Sequence, residues 1–157
     1  MTPYVYNLSL MLVWVAITGE VSLSNLSIGF LLGYLVLVFA QTTDPRFSAY
    51  VRRLPKLVMF LLGFLKAMVL SNLRVAYDVV TPTHLMRPAI IRMPLDACTP
   101  GEITLLANLI SLTPGTLSLD VSDQGDALFI HVMYLDDEAE TLAELKAFEA
   151  RLLELMR

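Results

Sequence analysis

Charge is scarce in this chain, and thiols and imidazoles are scarcer. Only 17% of the 157 residues are charged, against ~25% in an ordinary soluble domain. A single cysteine, Cys98, excludes a disulfide framework and leaves no second thiol for a zinc cluster. His84 and His131 are the only histidines. No phosphate-binding loop, dinucleotide fingerprint, nucleophile elbow or H-E-x-x-H helix occurs. What is abundant is apolar. Such residues make up 56% of the chain, and the mean hydropathy is +0.65. Intrinsic disorder is excluded, because disordered chains are poor in apolar residues. A large multi-span transporter is excluded too, since each spanning helix takes about 20 residues.

The net charge of −4 conceals an asymmetry. Residues 1–80 carry six basic side chains against three acidic ones, or +3, and residues 81–157 carry five against twelve, or −7. Thr81-Pro82-Thr83-His84, with Pro88 after it, is the expected boundary, because proline disfavours helix at its own position and at the residue before it. The expected organisation is a transmembrane helical hairpin over 1–42, a basic loop with an interfacial or third spanning helix over 43–80, and a cytoplasmic α+β domain over 81–157.

From Tyr4 to Ala40 the only formally charged side chain is Glu20, within Thr18-Gly19-Glu20-Val21-Ser22. It divides Tyr4–Ile17, 14 residues at the short limit for a span, from Val21–Thr42, 22 residues and long enough. In hydrocarbon every backbone polar group needs an internal partner, so both runs read as helix. A cleaved signal peptide would carry a basic start and a small-residue cleavage site, and neither is present. Gly29 and Gly33 form a G-x-x-x-G, read either as a close-approach face or as ordinary membrane glycine. Trp14, Tyr4, Tyr6 and Tyr34 include candidate interface anchors. Glu20 reads as part of a solvated external turn, with a proton relay as the competing role. The expected loop from Asp44 to Lys56 holds Arg46, Arg52, Arg53 and Lys56, which marks the cytoplasmic side.

Lys56–Val80 is apolar with a polar stripe. Lys56 and Arg74, 18 residues apart, share one azimuth at about 100° per residue. Such a helix suits the membrane interface. As a span it would hold Lys66 near the bilayer centre, at a cost of about 2.5–3.5 kcal/mol. Two spans plus an interfacial helix are therefore expected, with three spans as the alternative.

The acidic half predicts β-α-β-β-α. Ala89–Met93, between two prolines, reads as an edge strand. Thr99-Pro100-Gly101-Glu102 is a capping box that opens a helix closed by Thr113-Pro114-Gly115. Thr116–Val121 and Ala127–Tyr134 form a hairpin, and Asp136-Asp137-Glu138 opens a terminal amphipathic helix. The last strand is apolar on both faces and is expected between the other two, in a ferredoxin-like split order. Glu149 falls on the apolar side of the last helix and calls for a basic partner on the sheet or the membrane-proximal helix. Cys98 before the helix cap and His131 on a strand have no adjacent base in the sequence. Both read as structural, and Asp123, Asp126, Asp136 and Asp137 read as solvated. No cofactor or metal is expected. Nucleic acid is excluded by the acidity of the domain.

The run Ala107-Asn108-Leu109-Ile110-Ser111-Leu112-Thr113-Pro114-Gly115-Thr116, the strand after it and Phe129-Ile130-His131-Val132 carry a specific resemblance. Phe148-Glu149, Asn72-Leu73 and Pro88-Ala89-Ile90-Ile91 extend it over the whole chain. The sequence resembles the E subunit of the Mrp-type (Mnh or Pha) multisubunit Na+/H+ antiporters. The resemblance implies an accessory, non-catalytic subunit needed for assembly or stability of a complex in the bacterial inner membrane. That complex exchanges monovalent cations for protons through larger subunits. Its partners would be those subunits and the bilayer, with no soluble substrate of its own and both termini cytoplasmic. Asn108, Thr113, Pro114, Gly115, Thr116 and His131 would then be structural or interface residues. The alternatives are an independent membrane-anchored scaffold or regulatory domain and, less in keeping with the residues, a tethered enzyme using Cys98 or His131.

Overall fold

The computed structural model describes residues 2–82 and 86–157. Thr83 and His84 of the expected boundary lie outside the described residues. The chain divides into Met1–Val58 and Met59–Arg157.

The first unit holds α1 (Pro3–Thr18), α2 (Leu23–Ala40) and the start of α3 (Arg46–Val80). Its turn is built by punctuation residues. Gly19 takes φ +70°, and its N–H closes α1 on the Val15 carbonyl. Ser22 caps α2 by accepting from the Asn25 amide. The Asn25 side chain accepts from Trp14 Nε1 at 2.8 Å and donates to Thr18 Oγ1 and the Glu20 carbonyl. The indole is therefore committed to the turn, and Glu20 stands exposed at its tip.

Gly29 and Gly33 pack within the hairpin. A Cβ on Gly29 would lie 3.0 Å from Trp14 Cδ1, and one on Gly33 would collide with Asn7 Oδ1. Asn7 is fully buried and donates through Nδ2 to the Tyr50 hydroxyl at 2.5 Å. Tyr50 also meets the edges of Tyr4 and Tyr34, with ring centroids 4.7 and 6.2 Å away.

The structure corrects the expected loop through Lys56. The connection ends at Pro45, and helix runs unbroken from Arg46 through Pro55 to Val80. Asp44 Oδ1 accepts from the Arg46 amide at 2.9 Å and starts the helix. Pro55 lacks the N–H that would bond the carbonyl four residues back, that of Val51. The Tyr34 hydroxyl donates to that carbonyl at 3.0 Å. The break expected at proline is therefore repaired by a neighbouring helix, and Arg52, Arg53 and Lys56 ride on helix rather than loop.

The second unit joins Met59–Val80 of α3 to β1 (Ala89–Pro94), α4 (Pro100–Leu112), β2 (Thr116–Val121), β3 (Ala127–Val132) and α5 (Glu138–Met156). The compact division thus falls earlier than Val80, because the second half of α3 packs with the domain. The sheet order is β1-β3-β2, with β3 antiparallel to both neighbours. The central place buries both edges of the most apolar strand. Ile91, Met93, Leu128, Ile130 and Val132 point to one face and meet Leu106 and Ile110 of α4 and Leu152 of α5. The other face carries Ile90, His131 and Leu117 in cross-strand register.

The Gly33–Asn7 crossing gives a test. Gly33→Ala should destabilise the hairpin by about 1–3 kcal/mol through overpacking. Asn7→Ala in the same chain should recover part of that loss, with a coupling of roughly 0.5–3 kcal/mol. Denaturant unfolding of the detergent-solubilised protein measures both; strict additivity would refute the contact.

Candidate functional site

The Thr113–Thr116 run is a turn with a structural reason for each residue. Thr116 N–H bonds the Thr113 carbonyl at 3.2 Å across Pro114 and Gly115. Pro114 supplies the fixed φ of the second turn position. Gly115 has φ +91°, which a type II turn demands at its third. The Thr116 hydroxyl lies 2.7 Å from the Ile110 carbonyl and 3.0 Å from that of Thr113, so it closes the end of α4. Ser118 adds a 3.0 Å bond to the Ala107 carbonyl, and the Met133 amide bonds Gly115 O at 2.8 Å. The turn thereby ties α4, β2 and the end of β3 together.

Helix α3 meets the same turn. Ser71 donates to the Pro114 carbonyl. Arg74 lies over the Tyr134 ring at 4.5 Å and pairs with Asp136 at 2.9 Å. Tyr134 OH reaches the buried Asp78 at 3.4 Å. Further along α3, Phe60 stacks on Phe148 of α5 with centroids 5.3 Å apart. Positions 60, 64, 71, 74 and 78 thus recur at helical spacing and meet the domain along one face. The opposite face is exposed and apolar apart from Lys66, with Leu62 at 62%, Val69 at 54% and Leu73 at 61%.

Between α3, the turn and α5 runs a groove made of two adjoining cavities of about 420 and 440 Å³. Thr113 and Thr116 line both, and Pro114 and Gly115 line the second. The other motif residues lie elsewhere. Asn108 is exposed on α4. His131 stands on the far face of the sheet, between Ile90 and Leu117. The run therefore contributes one turn, not a constellation of catalytic groups. Among the described residues no three His, Cys, Asp or Glu side chains gather where they could hold a metal ion. The Cys98 thiol donates to the Asp96 carbonyl at 3.3 Å.

Two ionic locks fasten the domain. Glu149, fully buried, accepts from the Asp96 and Ala97 amides at 2.7 and 2.9 Å and from Lys146 at 2.6 Å. Its basic partner is thus on its own helix, one turn back, and not on the sheet or α3 as expected. Burial works against the Lys146 ammonium, but the Asp96 and Glu149 carboxylates outweigh it and hold its pKa above the usual value. Glu102 completes the capping box with Thr99, and its carboxylate also takes the Cys98 amide and the Arg157 guanidinium. Arg157 first, then those backbone amides, draw the Glu102 pKa down to about 2.

Apolar helices joined to a small α+β domain define the class: an α-helical membrane protein with an appended domain. Its α2 and α3 are long and apolar enough to cross a membrane, and α1 is shorter. The profile of the Na+/H+ ion antiporter subunit family (MNHE) matches residues 7–155, and the chain belongs to that family. It is 32% identical over 152 residues to the Na+/H+ antiporter E subunit of Alkalihalophilus pseudofirmus, covering 96% of each chain. The Na+/H+ antiporter E subunit of Bacillus subtilis is 31% identical over the same share. Among solved structures, a chain of the Mrp complex from Dietzia sp. matches 64% of this chain and 96% of its own, at TM-score 0.51 and 30% identity. A chain of the membrane-bound sulfane sulfur reductase, an archaeal respiratory membrane complex, matches 97% and 98% at TM-score 0.56 and 30% identity.

The Glu102 lock predicts an acid limit. Its folded pKa lies below the ordinary 4.5, so its contribution is full above that value and is lost as pH falls through about 2. Glu102→Gln should lower the thermal midpoint at neutral pH and flatten its decline over that window. An acid profile as steep as the parent's would count against the assignment.

Proposed function

We propose that the chain is an accessory subunit of a bacterial monovalent cation/proton antiporter, held in the cell membrane among the larger subunits of that complex. It carries no ion pathway of its own and serves the assembly or stability of the complex. The observation that carries this reading is the chemistry of the hairpin. Neither Pro3–Thr18 nor Leu23–Ala40 holds an Asp, Glu, Lys, Arg or His. Proton relays inside membranes are built from such groups. The one buried polar side chain of the hairpin, Asn7, is an amide bonded to Tyr50. The Thr113–Thr116 turn and His131 serve structure and contact with partners rather than catalysis.

In this reading α1 and α2 span the membrane and both termini are cytoplasmic. The basic Arg46, Arg52, Arg53 and Lys56 favour the cytoplasmic side for the end of the hairpin. Met59–Val80 lies along the membrane surface. A span there would draw a domain with strands, turns and ion pairs into hydrocarbon, which cannot satisfy them. The exposed Leu62, Leu65, Val69 and Leu73 then face lipid.

Deleting the gene tests the first part. The amount of full-size complex on native gels should fall severalfold, while exchange per remaining complex is unchanged. A fully assembled complex that exchanges nothing until this chain is restored would overturn the accessory role. Nitroxide labels at positions 62, 65, 69 and 73 in proteoliposomes test the second. All four should report one shallow depth, and a steady gradient across the bilayer would establish a third span instead.

A further inference from the structure

The groove between α3 and α5 has two unlike walls. The α3 wall is small and apolar, with Gly63, Ala67 and Ser71 one turn apart, and it ends on the aromatic pair Phe60 and Phe64. A Cβ placed on Gly63 would meet no atom within 4 Å, so the groove is open there. The α5 wall carries Asp137, Glu140 and Glu144 along the half that adjoins the turn, with Arg151 set apart in the half lined by the phenylalanines. Among the described residues the Glu140 and Glu144 carboxylates carry no ion pair. By contrast Asp136 is matched by Arg74, and Glu149 by Lys146. Phe148 and Leu145 close the apolar end, and the Thr113 and Thr116 hydroxyls line the floor.

The geometry points to a basic, amphipathic polypeptide segment of a neighbouring subunit as the occupant of this groove. Its apolar side chains enter the end lined by Phe60, Phe64 and Phe148, and its Lys or Arg side chains meet Glu140 and Glu144. Charge complementarity selects this partner over an anionic lipid, whose headgroup the same carboxylates repel. Small residues one turn apart let a second backbone approach α3 closely. The inference rests on the reading of the chain as an assembled subunit and names where one contact is made.

The test uses the whole complex purified in mild detergent. A photo-cross-linking residue, p-benzoylphenylalanine, replaces Gly63 in one variant and Leu62, on the opposite face of α3, in another. The label at 63 should attach to a Lys- or Arg-bearing segment of another subunit, located by mass spectrometry, and the label at 62 should not. The pair Glu140→Lys and Glu144→Lys should reduce retention of the chain in the complex by roughly tenfold at a salt concentration the parent withstands. Glu140→Gln with Glu144→Gln should fall between, and Glu138→Lys, outside the groove, should match the parent. Full retention of the double Lys variant, or labelling at 63 confined to lipid or to a second copy of this chain, would overturn the groove assignment and leave the subunit reading intact. A parent chain that co-purifies with no other subunit would overturn both.

Discussion

The carbonyl of Val51 is the group on which the long third helix depends. A proline four residues on removes its natural donor. In an exposed soluble helix, water would donate instead. Here the Tyr34 hydroxyl of α2 does so, and one helix supplies what the next one lacks. Because the helix continues, Arg52, Arg53 and Lys56 keep a helical spacing. Further on, the polar positions Ser71, Arg74 and Asp78 meet the domain in phase with Phe60 and Phe64.

From Met59 onward that helix answers two environments at once. One face is fitted to a small sheet domain by an aromatic stack, a serine–carbonyl bond and a cation over a ring. The other is an open strip of leucine and valine interrupted by the exposed Lys66. A helix with such faces suits a place where an apolar medium lies against the second.

Much of this architecture was legible in the residues themselves. The hairpin announced itself by a near absence of charge, and Thr99 with Glu102 marked the start of α4 to the residue. Proline and glycine at 114 and 115 marked the turn. Two apolar faces on Ala127–Tyr134 indicated the central strand, which ends two residues earlier, at Val132. What escaped was non-local. Pro55 looks like a break until Tyr34 is known to lie beside Val51, and sequence spacing contains no hint of that pairing. Glu149 also accepts from the backbone amides of Asp96 and Ala97, which have no side-chain signature, whereas its ion pair with Lys146 is local, one turn back on the same helix. The groove was equally hidden, since its walls lie about eighty residues apart in the chain and only folding brings them together.

The central place of β3 also sets an order of events. Strands β1 and β2 pair only with β3, never with each other. No two-stranded forerunner of this sheet exists until residues 127–132 have left the ribosome. The hairpin, residues 3–40, emerges long before, since chains are made and fold from the N-terminus onward. Synthesis therefore delivers the two apolar helices before the sheet can form. In the interval β1 has no strand to pair with, so the sheet closes only when β3 is complete.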